Sequence, residues 1–186
     1  MPTEEIPERL PIKLKYGEFD PLISEPVLPA DLRLGENPGE ENYYIVQFDG
    51  PVLEEWQKAL DATGAERLAY VPEYAYVTRM RPAEKEAAAA LAHIRWIGLF
   101  QPGYKIAPAL ENVTAGRGKL TIATFPNVDM EAIKSKITES GGVVEESSQN
   151  ELSGNILVEI DLSQVAALAR LPGVMWIEPH TVPSLH

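Results

Sequence analysis

The chain has 186 residues, of which 45% are hydrophobic and 24% are charged, and its formal net charge is −12. This length and composition are typical of one medium or two small globular domains. The negative charge argues against nucleic acid as a partner, because nucleic acid requires a basic surface. The absence of cysteine excludes disulfides and cysteine-based sites. No apolar run reaches the roughly 18–20 residues of a membrane span, so no membrane partner is expected.

Residues 1–41 form a proline-rich segment with seven prolines. Prolines at this density disfavour helices and central strands and favour extended chain. The segment also carries many Leu, Ile and Val side chains, which makes it too apolar for a free linker. The sequence therefore predicts an extended, ordered arm that lies on a neighbouring domain. A disordered tail is the alternative.

The first predicted domain covers residues 42–104. Its first strand is a β-branched and aromatic run, and Gly64 stands where a helix commonly ends in a left-handed residue. The predicted elements are a strand at 43–48, a helix at 52–60, strands at 66–71 and 74–80, a helix at 82–91 and a strand at 94–97.

A connector at residues 105–117 leads to a second predicted domain at 118–180, followed by an exposed tail at 181–186. Asn127 is expected to cap the first helix of this domain, and Gly141 with Gly142 to end it. The predicted elements are a strand at 120–125, a helix at 128–137, strands at 143–145 and 155–160, a helix at 165–171 and a strand at 174–178.

The two predicted domains share an internal repeat. Trp96-Ile97 and Trp176-Ile177 each follow a helical stretch and precede a proline. The sequence therefore predicts an α+β protein with two tandem ferredoxin-like domains, each with the order β-α-β-β-α-β and an antiparallel sheet. Both helices would cover one sheet face, which leaves the other face for the sister domain, the arm or a partner protein.

The residues contain no catalytic constellation. The histidines are too few and too separated to form a confident metal pair, and no phosphate-binding or nucleophile motif is present. Glu145 and Glu146 are adjacent on a predicted strand, so they are expected to point to opposite faces. We therefore expect no cofactor, no metal and no enzymatic activity of the chain itself.

The second domain resembles the inhibitor-I9-type propeptides of subtilisin-like serine proteases (peptidase family S8). The resemblance rests on the element order, the Gly141-Gly142 helix stop and the closing run LPGVMWIEP at residues 171–179. The first domain looks like the extra prosegment module found in some large bacterial subtilases. The catalytic Asp, His and Ser motifs of the proteases are absent, so the resemblance is to the prosegment alone.

This resemblance implies a secreted protease precursor, in which the chain is an intramolecular chaperone and temporary inhibitor of a catalytic domain that follows it. In the family, the propeptide sheet packs on two protease helices, and acidic residues near the turn between the second and third strands of the propeptide domain cap their N-termini. The residues that match this role are Glu145, Glu146 and Glu151. The tail would lie in the substrate cleft as a product-like strand, formed by Thr181, Val182, Pro183, Ser184, Leu185 and His186. If processing follows His186, then Leu185 and Pro183 would fill subsites next to the cleaved bond.

Two alternatives to the propeptide hypothesis remain. A tandem ferredoxin-like sensor would bind a small ligand, and a protein-interaction module would act as an adaptor without any protease. A sensor requires a polar, Gly-rich pocket, and no segment of the sequence indicates one.

Overall fold

A computed structural model describes residues 9–182 of the chain. The chain divides into two compact units, one formed by Met1–Val27 and Gly39–Gly98 and the other by Leu28–Pro38 and Leu99–His186. Each unit contains a four-stranded sheet and two helices. The predicted α+β class with antiparallel sheets is therefore confirmed. The predicted arm is shared, because its residues up to Val27 belong to the first unit and the next eleven to the second.

The first unit begins with a hairpin that the sequence did not predict and continues with the predicted order of strands and helices. The elements are β1 (Ile12–Leu14), β2 (Gly17–Phe19), β3 (Asn42–Phe48), α1 (Glu54–Ala62), β4 (Glu66–Val71), β5 (Ala75–Met80), α2 (Pro82–Ala89) and β6 (Ile94–Leu99). The order of strands in the four-stranded sheet is β4-β5-β3-β6. The third of these strands in chain order, β5, therefore lies between the first two, β3 and β4.

The second unit has the same order of elements, and its sheet order is β10-β7-β9-β8 with every neighbouring pair antiparallel. A 3-10 turn at Pro102–Lys105 precedes its first strand. The elements are β7 (Arg117–Thr124), α3 (Met130–Glu139), β8 (Val143–Gln149), β9 (Gly154–Asp161), α4 (Val165–Ala169) and β10 (Val174–Pro179).

The sequence predicted two helix ends correctly and one helix cap wrongly. Gly64 and Gly141 follow α1 and α3 with φ angles of 94° and 83°, as predicted for left-handed positions. The prediction that Asn127 caps α3 was wrong. The cap is Asp129, whose side chain accepts the backbone N–H of Ala132 at 3.0 Å. Helix α3 begins at Met130, which is buried in the core. The capping residue immediately precedes the first helical residue, so Asp129 occupies that position.

The central strand β3 of the first sheet is buried on both faces. Phe48 of β3 stacks on Trp56 of α1 with ring centroids 6.0 Å apart, so this face carries the helices. Ile45 and Gln47 alternate with Phe48 along the strand and therefore point to the other face, where both are buried. The Gln47 side-chain amide donates to the backbone carbonyl of Leu10 at 2.9 Å. The arm therefore lies over the face that the helices leave open.

A buried ion pair holds the arm on this face. Arg95 of β6 donates to the two carboxylate oxygens of Asp20 at 2.9 and 3.1 Å, and their side chains are 8% and 1% exposed. The carboxylate also accepts the backbone N–H groups of Leu10 and Leu22 at 3.0 Å. Burial by itself raises the pKa of Asp20, but the bonds from Arg95 and the two N–H groups lower it below its ordinary value. The carboxyl group is therefore charged at neutral pH.

The second sheet is buried on one face. On β9, Ile156, Val158 and Ile160 are buried, whereas the residues between them are exposed or half-buried. The buried set packs with Ile133 and Ile137 of α3 in one hydrophobic core. Strict alternation of this kind is typical of a strand whose second face is not covered.

The ion pair gives a stability prediction for the first unit. Asp20→Asn leaves Arg95 buried without a counter-charge, so we expect the free energy of unfolding to fall by about 3–5 kcal/mol. The measurement is urea unfolding followed by tryptophan fluorescence, in a Trp176→Phe background so that only tryptophans of the first unit report.

The matched control is Lys13→Met, which removes the ion pair between Lys13 and Glu73. Their side chains are 44% and 37% exposed, so this loss is expected to stay below about 1 kcal/mol. Equal losses in Asp20→Asn and Lys13→Met would contradict a special role for the buried pair.

Candidate functional site

The face of the second sheet opposite its helices is the best candidate for a functional surface. Residues that pair across neighbouring strands share a face. Leu157 of β9 pairs with Thr121 of β7 on one side and with Glu146 of β8 on the other, so these three residues share a face. We call this surface the exposed sheet face. It is formed by Lys119, Thr121, Glu146, Ser148, Asn155, Leu157, Glu159 and Glu178.

The exposed sheet face is most open along β8, an edge strand. Every residue of β8 except Val144 is exposed, and Asn155 of β9 is exposed beside it. Val143 is a large hydrophobic residue in this exposed strand. An edge strand that carries charges and a bulge resists indiscriminate strand pairing. The surface therefore suits a partner that packs on the sheet face.

A cavity of about 220 Å³ opens on this face. Its walls combine a carboxylate, hydroxyls, an amide, an imidazole and apolar groups, so it can accept hydrogen-bonding and charged groups. The lining residues are Thr121, Glu146, Ser147, Ser148, Asn155, Ile156, Leu157 and His180.

A bulge brings two of the predicted site residues to the same face. The register of β8 against β9 shifts between Val144 and Glu146, and such an insertion interrupts the normal alternation. The Glu145 carboxylate lies 3.1 Å from Nζ of Lys119 on the exposed sheet face, and Glu146 lines the cavity there. The expectation that these adjacent carboxylates point to opposite faces was therefore wrong.

The three predicted acidic residues have different surroundings. Glu145 forms the ion pair with Lys119. Glu146 has neither an ion pair nor a side-chain hydrogen bond within residues 9–182. Glu151 is exposed in the β8–β9 turn, where the Asn150 side chain accepts the backbone N–H groups of Leu152 and Ser153. Glu151 does not line the cavity, so the structure brings only Glu145 and Glu146 together.

The predicted tail leaves the sheet beside the cavity. The backbone N–H of His180 donates to the carbonyl of Lys119 at 2.9 Å, and its Nδ1 lies 3.1 Å from Oγ1 of Thr121. Thr181 and Val182 are exposed, Val182 to 78%. The remaining predicted tail residues lie outside the described part of the chain, namely Pro183, Ser184, Leu185 and His186.

Sequence reasoning missed two features of this unit. His180 was not among the predicted site residues, yet it is anchored to residues about sixty positions earlier in the chain. Lys105 was placed in a connector, yet it is buried. Neither residue has a local signal, because each contact joins distant segments.

Metal binding and membrane insertion find no support in the described residues. Within residues 9–182, no group of three or more His, Cys, Asp or Glu side chains is close enough to hold a metal ion. No helix in the same range has the length and apolar character needed to cross a bilayer.

Comparison with known proteins gives one family match. A family model described as a domain of unknown function (DUF8729) matches residues 13–101. The matched stretch begins in β1 and ends just after β6, so it contains most of the hairpin of the arm and the first sheet. Over these residues the chain is similar to that family. No curated protein and no solved structure matches the chain.

The environment of the acidic residues gives a second prediction. Glu145 takes part only in a partly exposed ion pair and Glu146 in none within the described chain. We therefore expect Glu145→Ala and Glu146→Ala to change the free energy of unfolding by less than about 1 kcal/mol, measured by urea unfolding. A larger loss in either variant would mean that the carboxylate supports the fold.

Proposed function

We propose that the chain is the prosegment of a secreted subtilisin-like serine protease. In this role it would act as an intramolecular chaperone and as a temporary, product-like inhibitor of the catalytic domain. The observation that carries the proposal is the position of an uncovered sheet face beside the start of an exposed tail, both in the second unit. The proposal concerns a protein–protein interaction and assigns no catalysis to the chain.

We also propose that both units are ferredoxin-like modules arranged in tandem. The support is the β-α-β-β-α-β order in each unit and the sheet order, in which the third strand pairs between the first and second. This split-βαβ arrangement is the pattern of the ferredoxin-like fold. Since that fold hosts many functions, the functional proposal depends on the surface of the second unit.

The exposed sheet face can accept helices of a protease domain. Helix N-termini expose unpaired backbone N–H groups and carry partial positive charge, so they favour carboxylates. Glu146 offers a carboxylate without a partner in the described chain, and Glu145 lies beside it on the same face. Half-buried Leu157 and exposed Val143 add apolar area to the contact.

The tail can extend from this contact into a substrate cleft. His180 is fixed to β7 through its backbone and its ring, whereas Thr181 and Val182 are exposed. An extended segment that adds as a strand to a cleft gains backbone hydrogen bonds. Anchoring its first residue on a folded unit reduces the entropy lost when the tail binds.

The chaperone role follows from mass action. A prosegment that binds the folded protease, and does not bind the unfolded chain, shifts the equilibrium of the protease towards the folded state. The same contacts inhibit the protease until the prosegment is removed. Folding assistance and inhibition therefore require the same two surfaces.

Inhibition of a subtilisin is the primary test. The full chain is expected to slow hydrolysis of a chromogenic peptide, and removal of residues 181–186 is expected to raise the inhibition constant at least about tenfold, because the tail contributes several backbone hydrogen bonds. Inhibition should fade as the protease digests the chain.

A strictly cognate prosegment could spare a generic subtilisin, so the second arm is refolding of the unfolded cognate catalytic domain with and without the chain. The proposal is rejected if the chain neither inhibits a subtilisin-like protease nor increases the yield of refolded domain. Inhibition that persists unchanged without residues 181–186 would reject the product-like role of the tail.

Charge reversal tests the docking surface separately. Glu146→Lys is expected to weaken inhibition by at least about tenfold, since it puts a positive charge opposite the positive helix N-termini. Glu139→Lys is the matched control, because Glu139 is exposed at the end of α3, and the helices lie on the other face of the sheet. Equal inhibition by both variants would show that the exposed sheet face is not the contact.

A further inference from the structure

Lys105 is a lysine enclosed in the second unit. It ends the 3-10 turn Pro102–Lys105, in which all four residues are buried, and only 4% of it is exposed. Lysine is almost never fully buried unless its ammonium group is paired with a negative charge. The contacts of its amino group therefore decide which protonation state fits the site.

The contacts of Nζ fit a neutral amine. Nζ lies 3.3 Å from the backbone carbonyl of Leu171 and 5.6 Å from the ring centroid of Phe100. One carbonyl satisfies one of the three donors of an ammonium group. Attraction to the aromatic ring offsets only part of the cost of burying a charge. A neutral amine, by contrast, can donate one N–H to the carbonyl without any charge being desolvated.

No charge of the surrounding elements neutralises Lys105. The turn packs against α4 and β10, and α4 itself has no charged residue. Just after α4, Arg170 donates to the backbone carbonyls of Asp31 and Arg33. On β10, Glu178 accepts the indole N–H of Trp176. Within residues 9–182, no carboxylate lies within 4.0 Å of Nζ of Lys105.

The segment that contains Lys105 is bonded to the strand that leads to the tail. Ile106 forms a parallel bridge with Ile177 of β10. The backbone N–H of Ala107 donates to the carbonyl of Ile177 at 2.9 Å. Three residues after Ile177, His180 leads into the exposed residues Thr181 and Val182. Opening of residues 102–107 would therefore release one edge of β10 near the start of the tail.

We propose that Lys105 is a proton-controlled switch, in which the neutral amine fits the packed state and protonation favours opening of residues 102–107 from the edge of β10. Burial lowers the pKa of Lys105 to about 7, whereas a lysine in the opened segment has its ordinary value near 10.4. The opened state therefore binds the proton more strongly. The opening equilibrium rises about tenfold for each unit by which pH falls between roughly 10 and 7, and it levels off below pH 7.

In a prosegment, this opening would loosen the strand that carries the inhibitory tail as the medium becomes less alkaline. That consequence rests on the proposed function, whereas the switch itself is a property of the second unit. The experiments below measure the switch without a protease, so their failure would leave the proposed function standing.

The first measurement is NMR titration of the lysine Cε signals in the full chain. Lys105 is expected to titrate near pH 7, well below the value near 10.4 of an unperturbed lysine. A midpoint above pH 9 for Lys105 would overturn the proposal.

The second measurement is hydrogen exchange of the Ala107 amide at pH 9 and pH 7, corrected for the intrinsic exchange rate. We expect its protection to fall by about fiftyfold over these two pH units, while protection in the central strand β9 stays unchanged. An equal loss in β9 would show that Lys105 affects only global stability, and no loss at Ala107 would show that no opening occurs. Either result would overturn the switch.

Substitution separates Lys105 from other titrating groups. Lys105→Met keeps an unbranched side chain without a titratable group, so the protection of Ala107 is expected to become independent of pH. Lys136→Met is the control, since Lys136 is exposed on α3 and pairs with Glu139, and it should retain the wild-type dependence. Persistence of that dependence in Lys105→Met would contradict the assignment.

Discussion

The two units depend on one constraint, which is that helices cover only one face of a four-stranded antiparallel sheet. The other face must be covered by further chain or must tolerate water. In the first unit, Ile45 and Gln47 lie on that second face, and the arm buries both of them. The pair formed by Arg95 and Asp20 supplies the polar contacts that such a cover needs. At these positions the arm covers the second face of the first sheet.

The second unit meets the same constraint in the opposite way. Its β9 alternates between core residues and residues that reach solvent, and β8 is exposed along nearly its whole length. The bulge before Glu146 brings a second carboxylate to the uncovered face and disrupts the strand edge. A surface whose residues tolerate water can bind a partner and later release it. This difference assigns the proposed docking role to the second unit.

The two units also differ in how they hold a buried basic side chain. In the first unit, Arg95 pairs with the Asp20 carboxylate, which also accepts two backbone N–H groups. Lys105 can lose its proton, and the second unit provides a carbonyl and an aromatic ring. The proposed switch makes the packing of the second unit sensitive to pH between roughly 10 and 7, whereas the ion pair gives the first unit no such dependence in that range.

The sequence by itself determined the α+β class, the order of the elements and the left-handed helix ends at Gly64 and Gly141, because these depend on local periodicity and backbone preference. It placed a cap at Asn127 instead of Asp129, since local propensity does not register which residues the core buries. Only the tertiary structure decided the cover of the first sheet, the shared face of Glu145 and Glu146, and the burial of Lys105. The contacts behind the first and last of these join residues 75 and 66 positions apart, and the bulge depends on pairing with β9. None of these arrangements has a signature within a short stretch of sequence.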